Sequence, residues 1–377
     1  EFITQWGSEG TADGQLRFPH ALSISNSGDV YVADEGNNRM QEFSPTGGFV
    51  AAWGSEGLGS GQFSSPSGVA VSPNGSVYAV DKDNGRLEVF TQPPGSLTYD
   101  ISFGSPGKEA GQLAEPWGIA TGPNGDAYVV DEQNSRVEEF STAGEYIGQW
   151  GSTGTGNGQF KLPHGVAVAP NGNVYVTEEA GRVQEFSASG TFITTWGSEG
   201  TGNGQFKCPH GIAVTPSGKN VYVADECNNR VQEFNEKGEY TRQWGSPGSG
   251  NGQFNSPAGV AVAPSGNVYV ADAANNRIQE FNEKGEYIRQ WGSPGIGNGQ
   301  FSNPRSLTVD AWGNVYVSDT NNNRVQEFTA EGTYITQWGS TGTESGQFKS
   351  PRGIAVTAIG DVYIVDSQND RVQEWRR

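Results

Sequence analysis

Short apolar runs alternate with turns rich in Gly, Asn and Ser along the whole chain, and Gly and β-branched residues are too frequent for long helices. In one representative stretch, residues 165–168 and 174–176 are apolar runs joined by the hairpin signal Pro-Asn-Gly-Asn. Residues 182–186 and 191–196 then alternate apolar and polar side chains, as half-exposed strands do. The pattern predicts a unit of four strands whose first strand is the innermost.

This unit recurs. The string Gly-Gln-(Phe/Leu)-x-x-Pro occurs eight times, and an aromatic residue followed by Gly-Ser precedes it at intervals of 46 to 50 residues. We number the repeats 1 to 8 by these opening aromatics, which are Trp6, Trp53, Phe103, Trp150, Trp196, Trp244, Trp291 and Trp338. A period in the forties with four strands per unit is typical of a β-propeller blade. No linker interrupts the series, which predicts a single domain over residues 1–377.

The two ends of the chain complement each other. Repeat 8 contains three strand-like segments and no fourth, while residues 1–6 (Glu-Phe-Ile-Thr-Gln-Trp) resemble an isolated fourth strand. We therefore predict an all-β, eight-bladed β-propeller of four-stranded antiparallel blades. In it the N-terminal strand completes the last blade, which closes the ring and removes an unpaired edge. A β-solenoid is the alternative, but it does not explain the complementary half-units.

The unit resembles the NHL repeat. The resemblance covers essentially the whole chain and depends on Gly-Gln-Phe-x-x-Pro-x-Gly-(Val/Ile)-Ala-Val, on Gly-Asn-Val-Tyr-Val-Ala-Asp-x-x-Asn-Asn-Arg-(Val/Ile)-Gln-Glu-Phe, and on Gly-x-Tyr-Ile-x-Gln-Trp-Gly. NHL domains are usually six-bladed propellers, and the resemblance implies protein interaction, RNA binding, extracellular sensing or, in a few cases, enzyme activity. The arginine of the second motif recurs in nearly identical form, which favours a structural ion pair over a ring of free cations.

The net charge of the chain argues against some of these functions. The formal net charge is −19, with 42 acidic against 23 basic side chains. Such a surface repels phosphate backbones and anionic lipids, which argues against nucleic acid and membrane surfaces as partners. No run of about 20 apolar residues is present, so the sequence contains no candidate membrane span. We expect a monomer.

The residue after each repeat proline is the candidate binding position, because it starts the innermost strand beside the central channel. From repeat 1 to repeat 8 this residue is His20, Ser67, Trp117, His164, His210, Ala258, Arg305 and Arg352. The predicted ligand-binding residues are Trp117, His164, His210, His20, Arg305 and Arg352. The aromatic and imidazole rings would stack and donate hydrogen bonds, and the arginines would bind carboxylates or other anions. The alternative is a set of tolerated surface residues around a water-filled channel.

The same histidines are candidate metal ligands. Three histidine ligands suit a catalytic zinc with an open position, although His20 is far from the other two around the ring. A smaller site of His164 and His210 completed by Glu226 or Glu179 is easier to form. In the lyase domain of the peptidyl-glycine α-amidating enzyme, which is NHL-like, similar Pro-His segments bind zinc. This resemblance implies zinc at His164, His210 and His20. No motif in the sequence requires a cofactor. Zinc and calcium are the candidate metal ions.

That lyase domain also carries a disulfide at places comparable to Cys208 and Cys227. Both cysteines are predicted on the face that carries the blade-to-blade connections, so a separation of about 5–6 Å between their Cα atoms is plausible. We predict a disulfide, with free thiols and a Cys/His metal cluster as alternatives. A disulfide indicates an oxidising compartment and hence an extracellular or cell-surface protein.

Taken together, these features favour a binding scaffold without catalytic residues. The scaffold would present a protein partner or a small anionic or polar ligand with a site at the channel mouth. A metal-dependent lyase or hydrolase that uses the histidines is the second hypothesis, and a purely structural repeat domain is the third. No nucleophile elbow or Ser-His-Asp arrangement is present, so the sequence favours a protein that is not an enzyme.

Overall fold

A computed structural model describes residues 5–25, 29–59, 61–71, 77–90, 98–358 and 360–376. By proximity of their Cα atoms these residues form two compact units. We call the described residues up to 90 the N-terminal unit and residues 98–376 the C-terminal unit, and each is described by itself. Regular structure is β throughout apart from single 3-10 turns, and the described residues include no helix long and apolar enough to cross a bilayer. The single domain over residues 1–377 stays a prediction.

The C-terminal unit consists of six four-stranded antiparallel sheets. We number them as blades 3 to 8 to match the repeats. From the innermost strand outwards, blade 3 contains Pro116–Thr121, Ala127–Asp131, Arg136–Phe140 and Tyr146–Trp150; blade 4 contains Pro163–Val168, Val174–Glu178, Arg182–Phe186 and Phe192–Trp196; and blade 5 contains Pro209–Val214, Asn220–Asp225, Arg230–Asn235 and Tyr240–Trp244. Blade 6 contains Pro257–Val262, Val268–Asp272, Arg277–Phe281 and Tyr287–Trp291; blade 7 contains Pro304–Val309, Val315–Asp319, Arg324–Phe328 and Tyr334–Trp338; and blade 8 contains Pro351–Val356, Val362–Asp366, Arg371–Arg376 and, as its outermost strand, Thr98–Phe103. The 3-10 turns of this unit are Glu226–Asn228, Ala273–Asn275, Thr320–Asn322 and Ser367–Asn369.

The six blades follow one another in a cycle. Each innermost strand lies beside that of the next blade, and the innermost strand of blade 8 lies beside that of blade 3. Hydrogen bonds join these first and last blades: for example, Thr121 Oγ1 donates to the Val356 carbonyl at 3.0 Å, and the Glu115 amide donates to Asp370 Oδ1 at 2.8 Å. The C-terminal unit is therefore a closed array of six blades around a central cavity.

The predicted eight-bladed ring closed by residues 1–6 is corrected by this arrangement. The outer edge of Arg371–Arg376 is paired with Thr98–Phe103, so the place assigned to the N-terminal strand is already occupied. Phe103 pairs with Val372 just as Trp338 pairs with Val325 in blade 7. Because the outer strands of the repeats are so similar, the sequence pattern alone does not determine which of them completes the last blade. Of residues 1–6, the first four lie outside the described residues.

The core lies between neighbouring blades rather than in one central cluster. Buried Val, Ile and Ala side chains of one blade pack with Tyr and Phe side chains of the next, and each such cluster spans two blades. The interface of blades 8 and 3 includes Phe103, Phe140 and Tyr363. Within a blade the recurring arginine is bound as predicted: Arg230 Nε donates to the fully buried Asp225 at 2.7 Å, and its Nη atoms donate to backbone carbonyls. These arginines are structural.

The N-terminal unit contains blades 1 and 2. Blade 1 contains Pro19–Ile24, Val30–Asp34, Arg39–Phe43 and Phe49–Trp53, and blade 2 contains Pro66–Val71, Val77–Asp81 and Arg86–Phe90; Ser8–Glu9 pairs with Gln15–Leu16, and Glu35–Asn37 is a 3-10 turn. Blade 2 is three-stranded among the described residues. The segment that follows it in sequence order, Thr98–Phe103, belongs to blade 8 instead.

Candidate functional site

The repeat prolines begin the innermost strands, as the sequence predicts. The residue after each proline therefore lies at the same end of the channel in all six blades of the C-terminal unit. Blades 3, 4, 5, 7 and 8 contribute Trp117, His164, His210, Arg305 and Arg352, and blade 6 contributes the small Ala258. We call the five larger residues the channel cluster. The structure brings together five of the six predicted ligand-binding residues.

Aromatic and cationic groups of the channel cluster are in direct contact. The ring of Trp117 lies 4.8 Å from that of His164 and 5.3 Å from that of His210, and the two imidazoles are 4.3 Å apart, all between centroids. The guanidinium carbon of Arg352 lies 3.8 Å from the Trp117 ring centroid, and that of Arg305 lies 5.7 Å from it. The Trp117 ring thus stabilises Arg352 by a cation–π interaction and holds its planar guanidinium in place.

Four members of the cluster, all except His164, line a cavity of about 200 Å³ that is formed by the innermost strands of all six blades. Most of the lining is Gly, Ala, Val, Ile and Leu. Among the described residues that line the cavity, the two with a permanent charge are Arg305 and Arg352. The chain as a whole has a net charge of −19, whereas both permanently charged residues in the cavity lining are positive. The electrostatic potential in the cavity is therefore opposite in sign to that expected from the net charge.

Two glutamates flank the cluster from the loops that follow the second strands of blades 5 and 3. Glu226 Oε2 lies 2.5 Å from His210 Nδ1 and 3.5 Å from Arg305 Nη1. Glu132 Oε2 lies 3.8 Å from Arg352 Nη1. Each arginine of the cluster thus faces one carboxylate.

Burial and neighbouring charges set the protonation states. Burial, with the electrostatic influence of His210 and Arg352 adding to it, lowers the pKa of His164 to about 2, so its imidazole is neutral at physiological pH. Burial opposes ionisation of Glu226, but His210 and Arg305 outweigh it and hold the pKa of Glu226 below its usual value. Burial raises the pKa of Glu132 to about 7, against the opposing effect of Arg352. The cluster therefore combines a neutral imidazole, two arginines and one firmly ionised carboxylate.

The metal-site hypothesis finds no matching geometry. Among the described residues, no three side chains of His, Cys, Asp or Glu are arranged to hold a metal ion. His20 belongs to the N-terminal unit, where its Nδ1 lies 2.9 Å from the carbonyl oxygen of Ser67. Glu226, which would have to complete a site with His164 and His210, also faces Arg305. The channel cluster is thus a better anion site than a cation site.

The predicted disulfide is confirmed. Cys208 and Cys227 are bonded, with their Cα atoms 5.5 Å apart. Cys208 lies two residues before His210, and Cys227 directly follows Glu226. The bond therefore fixes the loop that carries Glu226 against the start of the strand that carries His210.

Glu132 is the site residue that the sequence analysis missed. It occupies the repeat position of Glu226, directly after the buried aspartate that binds the structural arginine. The signal for Glu132 in the sequence is that the residue after this aspartate varies between repeats, as the residue after the proline does. In repeats 6 to 8 the position holds Ala273, Thr320 and Ser367.

With this geometry in hand, comparison with known proteins identifies the repeat. The sequence profile of the NHL repeat matches residues 16–43, 63–90, 113–140, 206–234, 254–281 and 301–328. Six of the eight repeats of the chain are NHL repeats. Repeats 4 and 8 lie outside these matches, yet their strands have the same order and pairing as the other NHL blades.

Similar curated proteins share only a short segment. The E3 ubiquitin-protein ligase TRIM71 of Bos taurus is 48% identical over 44 residues, which is 12% of this NHL chain and 5% of the ligase, and the Gallus gallus protein gives the same figures. The chain thus matches about one twentieth of the length of these relatives. The resemblance to the amidating-enzyme lyase is not confirmed.

Solved structures with a similar fold cover most of the chain. A structural genomics protein of unknown function from Bacteroides thetaiotaomicron superposes with a TM-score of 0.63 at 17% identity, covering 96% of this chain and 98% of that one. A gluconolactonase from Xanthomonas campestris superposes with a TM-score of 0.54 at 13% identity, covering 76% and 99%. At such identities the similarity establishes the propeller fold alone.

Proposed function

We propose that the C-terminal unit is a non-catalytic binding scaffold that takes an anionic group of a ligand or partner protein at the channel cluster. The observation that carries this proposal is that Arg305 and Arg352 are the permanently charged residues lining the cavity. NHL propellers are protein-interaction scaffolds, and the short similarity to a ubiquitin ligase fits a role in protein recognition. The geometry supports binding rather than a specific reaction.

Each residue of the cluster has a role in this proposal. Arg352, which lies over the Trp117 ring, would donate two parallel hydrogen bonds to a carboxylate or similar anion. Arg305 would add long-range attraction while it remains near Glu226. His164 and His210 would supply aromatic surface and single hydrogen bonds. His20 lies in the other unit and is left out of the site.

The proposed location is outside the reducing cytosol. The Cys208–Cys227 bond supports an extracellular or cell-surface protein, because disulfides persist in oxidising compartments. Thiol titration without reductant tests this pairing in the purified protein: unreactive thiols support it, and two reactive thiols contradict it.

Calorimetric titration with benzoate at constant ionic strength tests the binding function, and neutral benzamide is the matched ligand control. Arg352→Gln removes the guanidinium and should weaken benzoate binding by at least about tenfold. Arg289→Gln is the matched protein control, since Arg289 lies on an outer strand of the same unit and pairs with Glu280 at 2.8 Å. It should leave the affinity unchanged.

Inorganic phosphate and a short acidic peptide extend this test to other anions. If benzoate, phosphate and the peptide all fail to bind, or bind the Arg352→Gln protein as well as the unaltered one, the proposed function is wrong. A melting temperature for each variant within about 2 °C of the unaltered protein shows that a lost affinity is not a lost fold.

A further inference from the structure

Glu132 is an unusual counter-ion for Arg352. Its side chain is buried, with 7% of the residue exposed, and its Oε2 has no hydrogen-bond partner among the described residues. Arg352 Nη1 is also buried and lacks a hydrogen-bond partner there. At 3.8 Å the two atoms attract each other but are too far apart to hydrogen-bond. The hydrogen-bonding capacity of the guanidinium is therefore not satisfied by this glutamate.

The groups around Glu132 do not favour a stable ion pair. Arg352 of blade 8 stabilises its charged form, whereas Glu115, just before the innermost strand of blade 3, and Glu179, in the loop of blade 4, oppose it. Arg305 repels Arg352 from the adjoining blade. Burial is the largest influence and raises the pKa of Glu132 to about 7, so the side chain takes up or releases a proton near neutral pH.

The two arginines differ in how firmly they are neutralised. Arg305 faces Glu226, whose pKa is held low, and this carboxylate stays ionised across the neutral range. Arg352 faces Glu132, whose charge disappears when it is protonated. The cavity then holds one positive charge without a counter-ion, next to the Trp117 ring. Electroneutrality in a largely buried site favours a ligand group with a single negative charge.

We propose that the ligand binds through one carboxylate, which replaces Glu132 as the counter-ion of Arg352 while Glu132 takes up a proton from the solvent. This inference rests on the proposed function and adds the charge and chemistry of the ligand group. A carboxylate matches the planar guanidinium with two parallel hydrogen bonds. A phosphate dianion would add one excess negative charge to the cavity.

The cavity also limits the body of the ligand. A cavity of about 150 Å³ is enough to hold a benzene molecule. The volume of about 200 Å³ here, with Gly, Ala, Val, Ile and Leu in most of its lining, therefore fits a carboxylate that carries one ring or a short branched chain. Such a carboxylate can belong to a free small molecule or to the end of a peptide.

Proton uptake gives the proposal a measurable signature. Above neutral pH Glu132 is ionised, so Glu132 must take up one proton from the solvent for each carboxylate that binds, and the affinity falls by up to about tenfold per pH unit. Below pH 6 Glu132 is already neutral, so binding takes up no proton there. The sign is therefore tighter binding at lower pH, until the carboxylate of the ligand is itself protonated.

Calorimetric titration of benzoate into the full chain at pH 8 measures this uptake. Imidazole, Tris and bis-tris propane are suitable buffers at pH 8, and bis-tris and piperazine at pH 5.5, because none of them is an anion that would compete for the arginines. The slope of the binding enthalpy against the buffer ionisation enthalpy should approach one proton per benzoate at pH 8 and should approach zero at pH 5.5. N-acetyl-phenylalanine, which carries a peptide-like carboxylate, distinguishes a peptide end from a free small acid by its relative affinity.

Glu132→Gln and Glu179→Gln are the paired variants. Glu132→Gln keeps the shape without the charge, so it should abolish the proton uptake and bind benzoate about tenfold more tightly than the unaltered protein at pH 8. Glu179→Gln removes another carboxylate that faces Glu132 and should retain most of the uptake. Retained proton uptake in Glu132→Gln overturns the inference.

The failure of this inference differs from the failure of the proposed function. Benzoate binding that depends on Arg352 but proceeds without proton uptake contradicts only the role of Glu132. Phosphate dianion binding at pH 8 that is tighter than benzoate binding contradicts the single-carboxylate ligand. No binding of any anion contradicts both proposals.

Discussion

Leu22 in blade 1 and Leu307 in blade 7 occupy the same position of the repeat, yet 62% of Leu22 is exposed and 4% of Leu307. The strands around both residues have the same order and the same antiparallel pairing. The difference lies in the neighbours, since Leu307 packs between two blades of a closed array. The repeat thus determines the blade, whereas closure of the array determines how much of each blade is buried.

The other face of blade 1 makes the same point. Met40 and Phe63 are fully buried in the interface of blades 1 and 2, which resembles each interface of the C-terminal unit. Ile24 and Val80 of the same unit are 59% and 41% exposed. Among the described residues, one such buried cluster between blades is therefore present in the N-terminal unit, while five are present in the C-terminal unit. Because apolar burial is the main source of stability, we expect the C-terminal unit to be the more stable.

A substitution in the strand that completes blade 8 should cause the largest loss of stability. Phe103→Ala removes a ring that packs 4.9 Å from Phe140 and 6.0 Å from Tyr363, between centroids, at the interface that closes the array. We expect it to lower the free energy of unfolding of the C-terminal unit by about 3–5 kcal/mol. Amide hydrogen exchange read by mass spectrometry measures each unit separately.

Phe49→Ala is the matched control in the N-terminal unit. Phe49 also lies on an outer strand, but it is 39% exposed. Its loss should cost about 1 kcal/mol or less. Equal losses of protection in the two variants would show that Thr98–Phe103 is an ordinary outer strand and not the closing element.

The two leucines test the comparison directly. Leu307→Ala should destabilise the C-terminal unit by about 2–4 kcal/mol, because it creates a cavity between blades. Leu22→Ala should change the free energy of unfolding of the N-terminal unit by less than about 0.5 kcal/mol, since the side chain is mostly in solvent. If chemical denaturation followed by hydrogen exchange gives similar losses for both, Leu22 is buried in solution and the comparison is wrong.

The buried Glu138 in blade 3 should make the stability of the C-terminal unit depend on pH. Glu138 is fully buried beside Arg136 and Asp131, and burial raises the pKa of Glu138 to about 7. Its stabilising contribution is therefore complete below its unfolded pKa and is lost as the pH rises through about 7. In blade 5 the equivalent Gln232 donates to the Gln205 carbonyl at 2.7 Å, which an ionised carboxylate cannot do.

Glu138→Gln should therefore stabilise the C-terminal unit on the order of 2 kcal/mol at pH 8 and much less at pH 5. Thermal unfolding at both pH values measures the difference. Glu88→Gln is the counterpart in the N-terminal unit, where Glu88 is partly exposed and lies 2.7 Å from Arg86. We expect a smaller gain there. A gain at Glu138 that is larger at pH 5 than at pH 8 would contradict the assigned direction.

Relief of backbone strain before the repeat prolines should give the smallest change in stability, and the change should be equal in the two units. Leu162 and Phe18, which precede the repeat prolines of blades 4 and 1, have φ angles of 48° and 47°. Asn tolerates this left-handed conformation better than Leu or Phe, and Asn303 occupies the same position in blade 7. Leu162→Asn and Phe18→Asn should each stabilise their unit by up to about 1 kcal/mol. Gains in only one unit, measured by hydrogen exchange, would show that this local strain depends on the surroundings.

The blade was predictable from the sequence because its signals are local. Alternation of apolar and polar residues, hairpin turns and the Asp-x-x-Asn-x-Arg loop all act within a few residues, and the strands agree with them. The number of blades in the ring was not predictable in this way. The outer strands that end at Trp338 and Phe103 have the same alternation of apolar and polar residues. The sequence of an outer strand therefore does not indicate which blade it completes.

The candidate site was partly predictable for a similar reason. The residue after the repeat proline was correctly placed at the innermost strand, and five of the six predicted residues lie together. His20 was grouped with them only because the predicted ring was too large. Glu132 was missed because its importance depends on Arg352, which is remote in sequence and adjacent only when blade 8 meets blade 3.

The pairing of Thr98–Phe103 with Arg371–Arg376 has a consequence for synthesis of the protein. The closing strand leaves the ribosome before every other strand of blades 3 to 8, and its partner strand leaves after all the others. During translation its edge must therefore remain unpaired or find a temporary partner until Arg376 has emerged. The last step in assembly of the C-terminal unit is thus a contact between the first and the last segments of that unit to be made, and this large sequence separation predicts slow completion of the fold.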